Sequence, residues 1–130
     1  MRTDAQASGD DAVSAVAAGL VGRGWTIVAR KLRAGRGELD IVAIDPGPPA
    51  ELVVVEVRWR RSRAFGVAEE TIDYRKRAHL RAAIARLLED GLPGGARLPS
   101  HPLRVDVVVV EPSRAPGLPP RVRHHRAVAL

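Results

Sequence analysis

The stretch GELDIVAIDPGPPAELVVVEVRWR, residues 37–60, decides the fold. Two runs rich in aliphatic and β-branched residues flank the turn-forming segment DPGPPA at 45–50, which is the pattern of an antiparallel hairpin. Each run also carries carboxylates among its aliphatic residues. Arginines lie within and behind the second run, at Arg58, Arg60, Arg61 and Arg63. The stretch therefore predicts two paired strands that present acids and cations side by side.

Further elements are predicted on both sides of this hairpin. Apolar residues at helical spacing indicate a first helix over residues 10–23, and β-branched residues indicate a strand over 25–33. A second helix is predicted over 73–90, and the apolar run LRVDVVVVE at 103–111 suits a central strand covered on both faces. The order α-β-β-β-α-β describes an α/β fold with a small mixed β-sheet flanked by helices.

Length and composition bound the domain organisation. With 130 residues, 45% of them hydrophobic and 28% charged, we expect one globular domain, with a flexible N-terminus at 1–8 and a variable C-terminal tail at 112–130. Within it, residues 122–130 are either a short terminal strand or a tail. In a strand, adjacent His124 and His125 would point to opposite faces, so they cannot easily share a metal. The chain has no cysteine and no apolar run of about 18 residues, which predicts a cytoplasmic protein without disulfides or a membrane span.

The charge balance favours acidic partners. Lys and Arg number 21 against 15 Asp and Glu, giving a formal net charge of +6 and a pI near 11.1. Nucleic acid is the first such partner to consider. The two Trp, one Tyr and one Phe are too few for platforms on which successive bases stack. No glycine-rich phosphate-binding motif is present, so nucleotide hydrolysis is not supported.

The acids of the predicted hairpin are the candidate site. Because alternate residues of a strand share a face, Glu56 lies on the same side as Arg58. By the same rule, Glu38 shares a side with Asp40. If the register joins these faces, Asp40 and Glu56 converge, and two close carboxylates repel unless a cation such as Mg²⁺ lies between them. The alternative is an inter-strand salt bridge in which an arginine neutralises the acids.

Other charged residues have two interpretations each. Asp10 is the acid of the first helix that is best placed to face the sheet. For Asp10 we favour helix capping over metal binding, and Ser8 is the other candidate for the cap. The arginines of residues 60–63 either clamp a phosphate or face water in a loop. Lys76 and Arg77 on the second helix either contact a DNA backbone or keep the helix surface soluble.

Taken together, the segments GELDIVA, VVVEVRWRRSRAFG, DYRKRAHLRAA and RVDVVVV resemble the YraN-like family of endonuclease-like proteins related to Holliday junction resolvases. The resemblance covers roughly residues 9–110 in the same order. It implies a restriction-endonuclease-like core and a metal-dependent nuclease site. Asp40 and Glu56 would then be metal ligands, Glu38 the glutamate of the GE-x-D motif, and Lys76 the lysine of the second helix.

The chain departs from the pattern of this family at two positions. The usual VEVK is VEVR here, so Arg58 stands where the lysine is expected. Arginine keeps the positive charge and can clamp a phosphate, but it cannot act as a neutral amine. The acid of the first helix falls at Val13, and Asp10, one turn earlier, is at best a partial substitute.

The sequence therefore predicts a deoxyribonuclease dependent on Mg²⁺ or Mn²⁺ that acts on structured or branched DNA. The alternatives are a nucleic-acid-binding protein on the same fold without catalysis, and a scaffold or dimerisation domain whose acids form salt bridges. DNA is the expected partner, a membrane is not, and a homodimer stays open. The expected catalytic residues are Asp40, Glu56 and Arg58. The expected metal ligands are Asp40 and Glu56, with Glu38 and Asp10 as further candidates. The expected nucleic-acid-binding residues are Arg60, Arg61, Arg63, Lys76 and Arg77.

Overall fold

The computed structural model describes residues 4–60 and 72–130, and in these ranges it has two long helices and five strands. In chain order they are α1 (Asp4–Gly22), β1 (Thr26–Ala34), β2 (Gly37–Asp45), β3 (Glu51–Trp59), α2 (Tyr74–Asp90), β4 (Leu103–Glu111) and β5 (Arg121–His125). A single 3-10 turn, Pro93–Gly95, lies between α2 and β4.

The five strands form one mixed sheet in the order β1-β2-β3-β4-β5. β1, β2 and β3 are antiparallel neighbours, β3 and β4 are parallel, and β5 runs antiparallel to β4. A parallel pair requires a long crossover connection, and the segment that contains α2 provides it. The predicted α/β fold and its α-β-β-β-α-β order are therefore confirmed, with β5 added at the edge of the sheet.

The element bounds differ from the predicted ones mainly at the first helix. β2 and β4 have the predicted bounds, and β2 pairs with β3 as the predicted hairpin, from Ile41 opposite Val55 to Asp45 opposite Glu51. However, α1 begins at Asp4 rather than Asp10. Residues 8 and 10 thus lie inside the helix, and the predicted N-cap there is wrong.

Each face of the sheet is covered by one helix, which gives two apolar clusters. The α1 stripe of Val13, Val16 and Leu20 packs on one face, and the α2 stripe of Leu80, Ile84 and Leu87 packs on the other. β3 and β4 are thus buried from both sides, which explains their nearly continuous valine runs. Within the two described ranges, no helix is long and apolar enough to span a bilayer.

A buried polar network lies on the α1 face, towards the β2–β3 turn. Asp106 on β4 is fully buried, and its carboxylate accepts two hydrogen bonds of 2.9 Å from Arg104. Arg104 also donates to Asp45 at 3.0 Å and to Glu51 at 2.8 Å. Asp106 therefore has a structural role, because its charge is paired rather than left alone in the valine run.

His124 completes this network from β5. Its Nδ1 lies 3.0 Å from a guanidinium nitrogen of Arg23, and its Nε2 lies 2.7 Å from Asp106 Oδ2. Because a guanidinium can only donate, Nδ1 accepts, so the ring is neutral and its Nε2–H donates to the carboxylate. The ring also packs against Trp25 at a centroid distance of 5.8 Å. His124 therefore has a structural role in this network, which the sequence analysis did not predict.

Candidate active site

β2 and β3 separate at the two acids of the predicted site. Their backbone pairing ends at Ile41 opposite Val55, and the next positions along the two strands are Asp40 and Glu56. There, Asp40 Oδ2 accepts a hydrogen bond of 2.8 Å from the N–H of Val57, so the side chain replaces a backbone carbonyl as the acceptor. The strand register thus brings Asp40 and Glu56 opposite each other where the sheet opens.

Glu56 is almost fully buried and interacts with both a cation and an anion. Its side chain is 6% exposed, and Oε1 lies 2.9 Å from Lys76 Nζ on α2. Burial raises the pKa of the Glu56 carboxyl, and the charge of Asp40 and a hydrogen bond between the two carboxyl groups raise it further. Although Lys76 acts in the opposite direction, the pKa of Glu56 reaches about 7. The site therefore favours additional positive charge beside these acids.

Arg58 lies on the α2 side of this site. It lines a small cavity of about 270 Å³ together with Glu56, Lys76 and Asp73, as strand alternation predicted for Glu56 and Arg58. Within residues 4–60 and 72–130, the guanidinium of Arg58 makes no hydrogen bond or ion pair, which leaves its donors open to a ligand in the cavity.

Asp73 is a site residue that the sequence analysis missed. It is the N-cap of α2, and its Oδ1 accepts a hydrogen bond of 2.8 Å from the backbone N–H of Lys76. This cap fixes the first turn of α2 and with it the position from which Lys76 reaches Glu56. The available signal was an Asp at the first position of the predicted helix, since Asp is common at helix N-caps.

The other side of the opening faces α1. A cavity of about 440 Å³ there is lined by Asp10, Val13, Lys31, Glu38 and Asp40, among others. Asp10 forms an ion pair with Lys31 of β1, and this ion pair neutralises the charge of its carboxylate. Val13 forms part of the cavity wall, so an acid at this position would face Asp40. Val13, where the family pattern has an acid, therefore contributes no oxygen atom to this cavity.

Only part of the predicted metal-binding set is gathered in one place. Asp40 and Glu56 are together, whereas Glu38 and Asp10 line the cavity beside them. Among residues 4–60 and 72–130, no group of three or more acidic or histidine side chains is arranged to hold a metal ion. The donor set therefore fits a hard cation such as Mg²⁺ only as a two-carboxylate site, in which waters fill most of the coordination sphere.

The predicted nucleic-acid-binding residues fall into three groups. Arg60 directly follows β3, and its backbone N–H donates to Val110 at 2.9 Å. Arg61 and Arg63 lie outside the described residues. Lys76 contacts Glu56, while Arg77, the next residue of α2, is half-buried. The Lys76 side chain thus contacts Glu56 and is still 43% exposed, so contact with a DNA backbone and a role in solubility both stay predictions.

The fold and the site define an α/β protein in which half-buried Asp40 and buried Glu56 meet where β2 and β3 separate, beside a lysine and an arginine. The chain belongs to Uncharacterised protein family UPF0102, the YraN-like family that its motifs resemble, and the family model matches residues 14–110. These residues include Asp40, Glu56, Arg58 and Lys76.

Relatives from several bacteria match most of the chain. A UPF0102 protein of Roseiflexus castenholzii is 46% identical over 70% of this chain and 68% of its own length. One from Alcanivorax borkumensis is 35% identical over 81% of this chain and 78% of its own. A UPF0102 protein of Pseudomonas paraeruginosa is 36% identical over 93% of this chain and 90% of its own. The similarity therefore extends over nearly the whole described fold.

Proposed function

We propose that the protein is a metal-dependent endonuclease that hydrolyses phosphodiester bonds in structured or branched DNA. The observation that carries this proposal is the contact of half-buried Asp40 with buried Glu56, in which the pKa of Glu56 is raised to about 7. Two carboxylates in contact, one of them buried, are costly without additional positive charge, and a divalent cation would supply that charge. Strongly perturbed pKa values of this kind concentrate at functional sites.

The residues of the chain have separate parts in this reaction. Asp40 and Glu56 would hold the cation, and the hydrogen bond from Val57 fixes the orientation of Asp40. Lys76 limits the negative charge on Glu56 and lies within reach of a phosphate bound beside it. Arg58 contacts the phosphate from the α2-side cavity and stabilises the charge that develops on its oxygens, but it stays protonated and cannot take a proton from water.

A divalent cation in this site supplies Lewis acidity to the attacking water and to a phosphate oxygen. Hydrolysis forms one bond between the water oxygen and phosphorus and breaks one ester P–O bond. The water thereby gives its hydroxyl to the phosphate and a proton to the leaving oxygen. The products are two nucleic-acid ends, and no oxidant or further co-reactant is consumed.

Cleavage of branched and linear DNA with Mg²⁺ or Mn²⁺ tests this proposal, with Asp40→Asn as the matched variant. Asparagine keeps an oxygen that can accept from Val57 N–H but loses the negative charge, so we expect folding to be retained and cleavage lost. Mg²⁺ should also raise the melting temperature of the parent protein and not that of Asp40→Asn, because only a cation bound to the native state stabilises it. A parent protein that shows neither effect would rule out the metal-dependent enzyme.

A second candidate is a nucleic-acid-binding protein on the same fold that does not cleave. Two observations favour it: Arg58 replaces the lysine of the family pattern, and Val13 occupies the cavity wall where the first-helix acid is expected. The same assay separates the two candidates. DNA binding without cleavage of any DNA form, with either metal, would support the binding protein.

A further inference from the structure

A groove runs along the N-terminal two thirds of α2, between this helix and the β1–β2 turn. It encloses about 580 Å³, which is within the size range of ligand pockets and much too small for a DNA duplex. One wall is the β1–β2 turn, with Ala34, Gly35, Arg36, Gly37 and Glu38. The other wall is α2, with Lys76, His79, Leu80, Ala82, Ala83 and Arg86.

The groove begins at the candidate active site. Lys76 lines both the groove and the small cavity that contains Glu56 and Arg58. Glu38 lines both the groove and the α1-side cavity that contains Asp40. A chain-like ligand bound at the carboxylate pair can therefore continue into the groove without leaving the protein surface.

The rim of the groove is positively charged on both sides. Arg36 lies on the turn, and Lys76 and Arg86 lie on one stripe of α2 with His79 between them. Lys76 lies in the first turn of α2, where a cation opposes the helix dipole, and the Asp73 cap and Glu56 offset its charge. Arg86 has a single exposed ion pair, with Asp90 at 3.1 Å, which is a weak contact that a phosphate can replace.

The floor of the groove is made of small residues, which lets the turn and the helix approach closely. A Cβ at Gly37 would lie 3.3 Å from that of Ala83, and a Cβ at Gly35 would lie 3.1 Å from Cγ of Arg86. Lys76 and Arg86 are separated by about 15 Å along the helix, from a rise of 1.5 Å per residue. This length is enough for more than one phosphate of a DNA strand to contact the rim.

We propose that this groove binds a single DNA strand that leaves a duplex beside the Asp40–Glu56 site. The phosphates of the strand lie along the cationic rim, and its sugars and bases cover the small apolar floor without aromatic stacking. The proposal rests on the function proposed above and narrows the substrate class to DNA with a single-stranded arm.

Binding in EDTA, where metal-dependent cleavage does not occur, tests the groove separately from the chemistry. The probes are a duplex with a single-stranded arm and the same duplex with blunt ends, each measured at several salt concentrations. Arg36→Ala/Arg86→Ala removes two rim cations. Arg97→Ala/Arg114→Ala removes two exposed arginines that do not line the groove and is the control with the same change in net charge.

For the armed duplex, we expect the groove variant to lose on the order of tenfold in affinity and about 1 to 2 in the slope of log affinity against log salt. The blunt duplex and the control variant should change less. Equal losses for the two variants, or equal losses for the two probes, would overturn the groove proposal and leave the endonuclease standing. A parent protein that binds neither probe at low salt would overturn both proposals, whereas groove-dependent binding without Mg²⁺- or Mn²⁺-dependent cleavage would remove only the enzyme.

Discussion

Arg58 limits the chemistry of the site at the scale of a single residue. It lines the cavity that contains Glu56 and Lys76, but its guanidinium stays charged at any pH at which the protein is folded. Lysine at this position could both carry a charge and exchange a proton. Arg58 can therefore act only through its positive charge or through the two parallel hydrogen bonds that a guanidinium offers a phosphate.

Substitution of Arg58 separates these two contributions. If the charge alone matters, Arg58→Lys should retain or raise metal-dependent cleavage, whereas Arg58→Ala should lose on the order of 10² to 10³ in rate. The measurement is single-turnover cleavage, with DNA affinity determined in EDTA as the control. A large loss in both variants, with affinity unchanged, would show instead that the bidentate contact is required.

Residues of the site differ in how far the sequence could predict their positions. The meeting of Asp40 and Glu56 could be predicted, because strand alternation and a short turn are both local properties. The contact of Lys76 with Glu56 could not, since it depends on how the crossover packs α2 on the sheet. The same holds for the pair of Asp10 with Lys31 and for His124, whose partners belong to other elements.

At the scale of elements, β1 is the least regular strand of the sheet. Its pairing with β2 shifts by one residue between Ile27 and Ala29, and Lys31 has a φ of 48°, in the left-handed region. Such a φ is uncommon for any residue except glycine and, less often, asparagine. Lys31 forms part of the wall of the α1-side cavity. Strand propensity predicted the element but gave no sign of this bend, which tertiary contacts impose.

Two substitutions of Lys31 test whether this backbone conformation is present. Lys31→Asn and Lys31→Val both remove the ion pair with Asp10, but only asparagine tolerates a positive φ. We expect the valine variant to be less stable than the asparagine variant by about 1 kcal/mol in urea unfolding. Valine has the higher strand propensity, so a regular strand at this position would give the opposite order.

At the scale of the whole molecule, two groups of charges lie on opposite faces of the sheet. The network of Arg104, Asp106 and His124 lies on the α1 face and is paired. Glu56 contacts Lys76 on the α2 face, and burial and the charge of Asp40 oppose its ionisation. The two groups are close along the sheet, because Asp106 lies beside Val55, the residue before Glu56.

The pH dependence of stability should report the paired network. Burial raises the pKa of Asp106, but hydrogen bonds from His124, Arg104 and the Ala127 N–H outweigh it, and the pKa falls from 3.8 to about 2. The stabilisation from this shift is therefore present above about pH 4 and is lost as the pH falls through about 2. By linkage it amounts to about 2 kcal/mol.

Urea unfolding of the parent protein and Asp106→Asn between pH 6 and the acid limit of folding measures this effect. The difference in unfolding free energy between the two proteins should be largest at the upper end and shrink towards low pH. His125→Ala on the opposite face of β5 serves as a control whose difference from the parent protein should not follow this profile. If the difference for Asp106→Asn stays constant over the whole pH range, the lowered pKa of Asp106 is contradicted.

The parallel pairing of β3 with β4 also affects the order in which the candidate site can form during synthesis. The strands that carry Asp40 and Glu56 leave the ribosome before α2, so the nascent hairpin has both acids but not the lysine that later contacts them. The pairing of β3 with β4 can form only after the crossover and β4 have also been synthesised. A newly made chain therefore brings Lys76 to Glu56 only after the crossover segment has left the ribosome.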